Sequence, residues 1–575
     1  MPGYFANARV VVVGGTTRER TIAVLREFTD NIIFDEPGHD LVLPGQLKTN
    51  PVAATAAGIG EFAWRQIPGF IKDQVAGPFD WVSDKVAHFA VEDADVIIGS
   101  FSEMMHFGLP DLAGKAVITS TVSEDRLATL SEFGADLVVD VTPRPFDFVV
   151  VPAMYEAMVA ATMPPGDKLT THDLAQFIQD AELEPRLLWP RGRRRKSRFS
   201  FVIHPLSTEY FKNVEPLGHI TSIPGMSQVV EKTVAYIPPF VYSHVTGIVS
   251  DTGDEAEGWL ITVGGTPKQM LAHPPEFTYS RLLEAAELSR RLGAQLMGLG
   301  AFTKVVGDAG VTVAKQAPLP VTTGNSYSAS GALWAAHEAV RRLGIAEVDD
   351  DGALRGKAMV VGASGAIGSA CARLLALASD ELWLVSPETA KLLQIKQDIE
   401  RDNPRATVHV ATDPSAALSE VDVIVTATSA AGQKVLDIMR VKPGCVITDV
   451  ARPLDMSPED IAKRPDVLVI ESGEIELPGE VRMKSIGLPD RVAYACLAET
   501  IVLALEGRYE NFTVGRSISW PKVKEIYRLG LKHGMKLATI SGVNGPYTDE
   551  DFDRVRSAAL AARAAGTGAE STESA

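Results

Sequence analysis

The sequence predicts an α/β protein with two Rossmann-like units, the second a doubly wound NAD(P)-binding domain paired with a smaller α/β substrate domain. Three observations predict it. Short β-branched runs alternate with helical stretches through residues 8–141, the pattern of a mostly parallel sheet. A second alternation starts at Lys357 and carries three spaced glycines, Gly362, Gly365 and Gly368, in VVGASGAIGSA. The chain has 575 residues, more than one ordinary core accommodates.

Composition narrows the function classes. A net charge of −18 argues against a general nucleic-acid binder, whose footprint is a basic face. Cys371, Cys445 and Cys496 lie far apart with no CxxC or Cys/His spacing. They read as reduced thiols of a cytoplasmic protein, with no disulfide framework and no metal site. The opening MPGYFANARVVVVGG runs straight into a strand, so no signal peptide is expected. No apolar run reaches the roughly 18 residues of a membrane span, so no transmembrane helix is expected.

Residues 1–163 form the first unit. ARVVVVGGTTRERTI (8–22) reads as strand, glycine turn and helix start, with Thr16 or Thr17 as cap. ADVIIGS, KAVITST and ADLVVDV supply further strands, and SEDRLATLSEFG a helix between two of them. The glycine signal is only Gly14-Gly15, so a Rossmann-like layer without a nucleotide is as good a reading as a binding one. Residues 51–92 form an insertion with Phe62, Trp64, Phe70, Ile71, Phe79 and Trp81. It is expected to be a helical subdomain packed on the sheet; the alternative is an apolar lid or a peripheral membrane contact.

Residues 164–198 read as a helix followed by a Pro-flanked connector bearing Arg191, Arg193, Arg194, Arg195, Lys196 and Arg198, the dense basic run of an acidic chain. A solvated linker is the ordinary explanation; a dock for an acidic partner such as acyl carrier protein, or for a phosphate-bearing substrate, is the alternative. The substrate domain is assigned to 199–345, the NAD(P)-binding domain to 346–545, and a helix with a disordered tail to 546–575.

KAMVVGASGAIGSACARLLAL fits strand, glycine turn, helix. Gly362 allows the tight turn, Gly365 the approach of a pyrophosphate, and Gly368 the close packing of helix on strand. Ser364, Ala366 and Ile367 complete the loop that would present N–H groups to the anion. ELWLVS, VDVIVTATS and GCVITDVA follow as further strands. The second strand ends in Ser386-Pro387-Glu388, with Lys391 one turn on. Ser386 and Lys391 favour the 2′-phosphate of NADP; Glu388 favours NAD. Thr426, Ala427 and Thr428 are expected near the nicotinamide ribose.

GLGAFTKVVGDAG, TTGNSYSAS, VVGASGAIGSACARLL, VLVIESGEIELPG and RVAYACLAETIVLALEGRYENFTVGRSISWPKVKEIYRLGLKHG fall in order over residues 199–545. This part resembles the long-chain acyl-(acyl carrier protein) reductases of cyanobacteria and related predicted dehydrogenases; residues 1–195 lie outside the resemblance. The resemblance implies reduction of a fatty acyl thioester to an aldehyde with NADPH, through a cysteine that takes the acyl group. The position aligned with that cysteine reads as Pro478, which has no nucleophile. Of the three cysteines, Cys496 is the best candidate, although packing is its expected role.

Direct hydride transfer to a carbonyl needs a proton donor instead. Lys304, with Asp308 four residues on, supplies one; its ordinary role is a solvated surface lysine. Asn325 opens a long helix and is expected to bond a substrate oxygen, with Thr323, Ser326 and Tyr327 beside it and Glu476 facing the cleft; Asn325 and Ser326 also read as simple helix caps. This arrangement is similar to shikimate-type dehydrogenases. His204 and His244 are second-rank candidates. The function expected is therefore an NAD(P)-dependent oxidoreductase of an acyl or carbonyl substrate. The alternatives are a shikimate- or quinate-like alcohol dehydrogenase using Lys304, and a non-catalytic nucleotide-binding scaffold.

Overall fold

The structure is a computed structural model that describes residues 3–13, 19–34, 94–107, 111–142, 152–164, 166–180, 183–192, 195–204, 236–265, 270, 272–300, 308–349, 353–428, 434–451, 454–471 and 473–573. The insertion 51–92, Gly14 to Thr17, Arg193, Arg194 and Lys304 lie outside the described residues. The chain divides into two compact units, one built on residues 1–197 with 253–255 and 289–295, the other on the remainder.

Among the described residues the first unit carries six strands, β1 (Val10–Val12), β2 (Ile32–Phe34), β3 (Val96–Ile98), β4 (Ala116–Thr119), β5 (Leu137–Asp140) and β6 (Arg186–Leu188), in the order β2-β1-β3-β4-β5-β6. All neighbours are parallel except β5 and β6. Strands β1, β3, β4 and β5 are short, largely β-branched runs buried on both faces, as a helix-covered parallel sheet requires; Val12, Ile97, Val117 and Val138 are fully enclosed, while the edge strand β6 is partly exposed. The helices among its described residues are α1 (Glu19–Leu25), α2 (Phe101–Phe107), α3 (Glu124–Glu132), α4 (Pro152–Ala161) and α5 (Thr171–Asp180).

The second unit contains a six-stranded sheet, β11-β10-β7-β9-β8-β20, made of β7 (Lys196–Ile203), β8 (Phe240–Val249), β9 (Glu255–Thr262), β10 (Leu296–Leu299), β11 (Val321–Thr322) and the later β20 (Gly479–Arg482). The basic connector expected through residue 198 is thus already strand from Lys196. Ser197 and Arg198 are buried, as is each residue through Val202, because this strand is covered on both faces and takes its residues into the core whatever their charge. Helices α6 (Pro275–Arg291), α7 (Val311–Gln316) and α8 (Asn325–Leu343) follow.

A nine-stranded sheet comes next. It holds β12 (Glu347–Val348), β13 (Leu354–Val361), β14 (Ser379–Val385), β15 (Thr407–Ala411), β16 (Val423–Thr426), β17 (Val446–Asp449) and β18 (Leu468–Glu471). Its central order is β15-β14-β13-β16-β17-β18, all parallel. Counted from β13 this is 3-2-1-4-5-6, the dinucleotide-binding order, with its switch point between β13 and β16. Helices α9 (Ala366–Leu375) and α10 (Thr389–Asp402) cross between the first strands. A small sheet joins β19 (Glu474–Glu476), β21 (Val492–Tyr494) and β22 (Lys536–Leu537), while β23 (Ser541–Gly542) and β24 (Gly545–Pro546) extend the large one.

Helix α8 presents Ala329, Ala332, Ala335, Ala336 and Ala339 to the core of this sheet, small residues that let helix and strands approach closely. It packs on α9 and on two later helices, α11 (Ala495–Glu506) and α12 (Trp520–Lys532). The last helix, α13 (Asp549–Glu573), continues into the tail where the sequence predicts disorder; the Ala-rich run before it propagates a helix at little cost.

Candidate functional site

The glycine loop after β13 is built by backbone geometry. Gly362 has φ +85°, which lets the chain fold back from the strand, and its N–H bonds Val385 O at 2.9 Å. A Cβ on Gly368 would lie 2.2 Å from Gly362 O, so only glycine lets α9 start this close to β13. Gly365 is the N-cap of α9 and supplies no side-chain cap. It is exposed, and Ala366 and Ile367 behind it are half-buried. The first-turn N–H groups of α9 are therefore left for a ligand.

The neighbouring strand ends furnish polar groups. Ser364 and Ser386 hydroxyls bond each other at 2.7 Å. Lys391 bonds Glu388 at 2.6 Å. The Glu388 carboxyl is held below its ordinary range by that lysine, by Ser364, and by the charge of Arg516. Thr426 ends β16 in register with Val361; it is fully buried and its Oγ1 has no hydrogen-bond partner among the described residues. Thr428 donates to Asp455 at 2.5 Å and its N–H to the same carboxylate at 3.1 Å. Burial pushes the Asp455 carboxyl up against those two bonds. Asp449, at the end of β17, accepts the N–H groups of Ala451 and Met456. A cradle that a Cβ would fill, an uncapped helix start and an orphaned hydroxyl at the switch point all fit a dinucleotide.

A second cluster forms where α8 and α11 begin. Gly324, the N-cap of α8, has φ +72°, and a Cβ there would sit 2.3 Å from Cys496 Cα and Cβ. Cys496 lies in the first turn of α11 and is half-buried. Asn325 is 6% exposed, and its amide makes no hydrogen bond to the described residues. Ser326 is enclosed and bonds Thr513 Oγ1 at 2.7 Å. The Thr323 N–H bonds Thr513 O. Glu499, one turn beyond Cys496, is fully buried; it accepts Thr322 Oγ1 at 2.5 Å and the Tyr327 N–H at 2.8 Å. That carboxylate ties the helix of Cys496 to the helix of Asn325.

Other sequence candidates fall elsewhere. Tyr327 is enclosed in the core, where a Cβ on Gly530 would meet its hydroxyl at 2.1 Å; burial, with Tyr527 nearby, pushes its phenol up. It packs rather than faces a cleft. Glu476 stands on β19 with Arg491 at 3.4 Å. Pro478 accepts the Val249 N–H at 3.4 Å where β20 meets β8. Asp308 accepts the N–H and hydroxyl of Thr312 and so holds the start of α7; no described contact links it to the cluster at Cys496. His244 stacks on Trp259 at 5.4 Å, and His204 is buried.

The remaining cysteines are enclosed. Burial pushes the Cys371 thiol up to about 12 and raises Cys445 as well. Sequence reasoning overlooked Glu499, Thr513, Asp455 and Arg516. Glu499 had a signal, a lone carboxylate within the apolar run ACLAETIVLAL; the other three are placed by tertiary contacts alone. Among the described residues, no group of His, Cys, Asp and Glu could hold a metal, and no helix is long and apolar enough to cross a membrane.

Residues 1–190 match a family described as a domain of unknown function (DUF8754). Over 345 residues, 59% of this chain, the sequence is 30% identical to aminotransferase PigE of Serratia sp.. Over 347 residues, 56% of this chain, it is 24% identical to the long-chain acyl-[acyl-carrier-protein] reductase of Synechococcus elongatus. The chain spans 39% of the length of the aminotransferase and 97% of that of the reductase. A solved quinate dehydrogenase from Corynebacterium glutamicum, in complex with NAD, is 11% identical, with a TM-score of 0.28 over 58% of this chain and 99% of that one.

Proposed function

We propose that the acyl reductase-like part of this chain is a nicotinamide-dependent oxidoreductase that reduces an acyl thioester to an aldehyde through Cys496. The observation that carries this reading is the contrast among the thiols. Cys371 and Cys445 are sealed in the core, whereas Cys496 is half-buried in the first turn of α11, against the N-cap of α8. Two helix starts therefore meet at one thiol, and free first-turn N–H groups favour negative charge.

The residues then divide the work. Cys496 gives its thiol proton to water as its Sγ adds to the thioester carbonyl carbon, and the carbon–sulfur bond to the incoming carrier breaks. The carrier leaves as a thiolate and takes a proton from water. The acyl group is now a thioester on Cys496. The Asn325 amide and the Asn325 and Ser326 N–H groups at the start of α8 are the donors available to the carbonyl oxygen as it gains charge, the Tyr327 N–H being held by Glu499. A reduced nicotinamide, when bound, supplies the hydride that converts the acyl carbon to the aldehyde level. Cys496 Sγ then departs with its bonding pair and the aldehyde is released. Gly362, Ser364, Gly365, Ala366, Ile367 and Gly368 would hold the pyrophosphate, with Thr426, Ala427 and Thr428 beside the nicotinamide ribose. Ser386, Lys391 and Arg516 favour NADP over NAD, since Lys391 already offsets the charge of Glu388.

The test is direct. Purified full chain is mixed with NADPH and palmitoyl-coenzyme A, cofactor absorbance is followed, and the aldehyde is identified by mass. Turnover in the parent chain and none in Cys496→Ala supports the reading. Equal turnover in both overturns the role of Cys496.

A further inference from the structure

We propose that the carboxyl end of the parallel sheet in the first unit is a binding site for a phosphate-bearing small molecule, with Arg126 as its cationic group and Thr119 as a hydroxyl donor. The strand order β2-β1-β3-β4-β5 reverses direction between β1 and β3, and in open parallel sheets ligands bind beyond the carboxyl ends of the strands at such a point. Three features beyond the ends of β3 and β4 add chemistry to that topology.

Arg126, in the first turn of α3, reaches back over the sheet end. Its Nη1 bonds Thr121 O at 2.8 Å, and its guanidinium carbon lies 5.1 Å from the centre of the Phe101 ring. It has no carboxylate partner among the described residues, so one of its five N–H donors is used and the others remain available. A stacked, planar guanidinium with free donors matches a phosphate oxygen pair. Thr119, the last residue of β4, is 2% exposed, and its Oγ1 has no hydrogen-bond partner among the described residues. Buried hydroxyls are normally paired, and an unpaired one calls for an explanation. Thr121 holds φ +59°, a conformation that a β-branched residue rarely adopts and that clusters at ligand sites.

The nearby carboxylates do not oppose an anion. Asp140, in register with Thr119 at the end of β5, is fully enclosed and bonded to Arg186 at 2.8 Å. Glu103 takes the Ser100 N–H at 2.9 Å. Glu124 and Asp125 precede Arg126 on α3 without pairing to it. The site is separate from the glycine cradle of the second unit and does not depend on the reductase reading.

Equilibrium dialysis of the full chain against radiolabelled pyrophosphate tests it, with the variants telling this site from the glycine cradle of the second unit. The expected result is binding that includes one equivalent weakened at least tenfold in Arg126→Gln and in Thr119→Val, and partly restored in Arg126→Lys. Circular dichroism and thermal unfolding identify any variant that has lost its fold, and the other variant then decides. Malonate in place of pyrophosphate asks whether a carboxylate serves. Absence of binding at millimolar pyrophosphate, binding unchanged in both variants, or binding of malonate alone overturns the proposal.

Discussion

Gly324→Ala probes the contact that brings the two helix starts together. The substitution acts twice. It places a side chain on a backbone with φ +72°, which costs about 1–2 kcal/mol for a residue other than glycine. It also sets a Cβ 2.3 Å from Cys496 Cα and Cβ, well inside ordinary contact, and forcing an atom into such a space costs about 1–3 kcal/mol. The sum is a loss of about 2–5 kcal/mol. Gly487→Ala separates the two terms, because Gly487 has φ +86° but nothing within 4 Å of its Cβ direction. It should lose only the backbone part, about 1–2 kcal/mol. Urea unfolding by linear extrapolation reads the difference, and the iodoacetamide alkylation rate at residue 496 reads the displacement of the thiol. Equal stability losses in the two variants, with an unchanged alkylation rate in Gly324→Ala, would refute the packing argument.

Further outcomes follow from the same geometry. In the native chain iodoacetamide should modify Cys496 alone, with Cys371 and Cys445 reacting only after unfolding; peptide mass spectrometry decides. Glu499→Ala leaves the Thr322 hydroxyl and the Tyr327 N–H without their acceptor, at about 1–3 kcal/mol each, whereas Glu499→Gln should keep part of the stability; urea midpoints compare them. At the end of β5, burial raises the Asp140 carboxyl, but the Arg186 and Thr142 hydrogen bonds outweigh it and hold it below the usual value. Its contribution is therefore complete above about pH 4 and lost as pH falls through the lowered value. Asp140→Asn should flatten that acid limb of the unfolding midpoint. Lys391→Ala should raise the KM for NADPH more than that for NADH, which steady-state kinetics with both cofactors measures.

What the sequence reveals depends on how local the determinant is. The loop at 362–368 is legible because a β-branched run, three glycines and a small-residue helix are contiguous, and the parallel sheet follows from the alternation after it, whereas the 3-2-1-4-5-6 order is a property of the folded chain. The short strands of the first unit are legible for the same reason. Arg198 misleads, since a charged residue inside a basic run reads as solvated while the strand register carries it into the core. Tyr327 misleads in the opposite way. It sits two residues from Asn325 in sequence, but a helix turns about 100° per residue, so the two face nearly opposite sides, one at the thiol cluster and the other packed under Gly530. The exposure of Cys496 against the burial of Cys371 and Cys445 is a tertiary property, and so is the meeting of Glu499 with Thr322 across 177 residues.

The most direct measurement is to trap the acyl group. The full chain is incubated with palmitoyl-coenzyme A without reduced cofactor, digested, and mapped by mass spectrometry, with hydroxylamine to cleave thioesters. The expected result is a palmitoyl thioester on Cys496, absent from Cys496→Ser as a hydroxylamine-labile adduct, and discharged as aldehyde when NADPH is added. Aldehyde formed at an undiminished rate by Cys496→Ser, or a thioester mapped to Cys371 or Cys445, would contradict it.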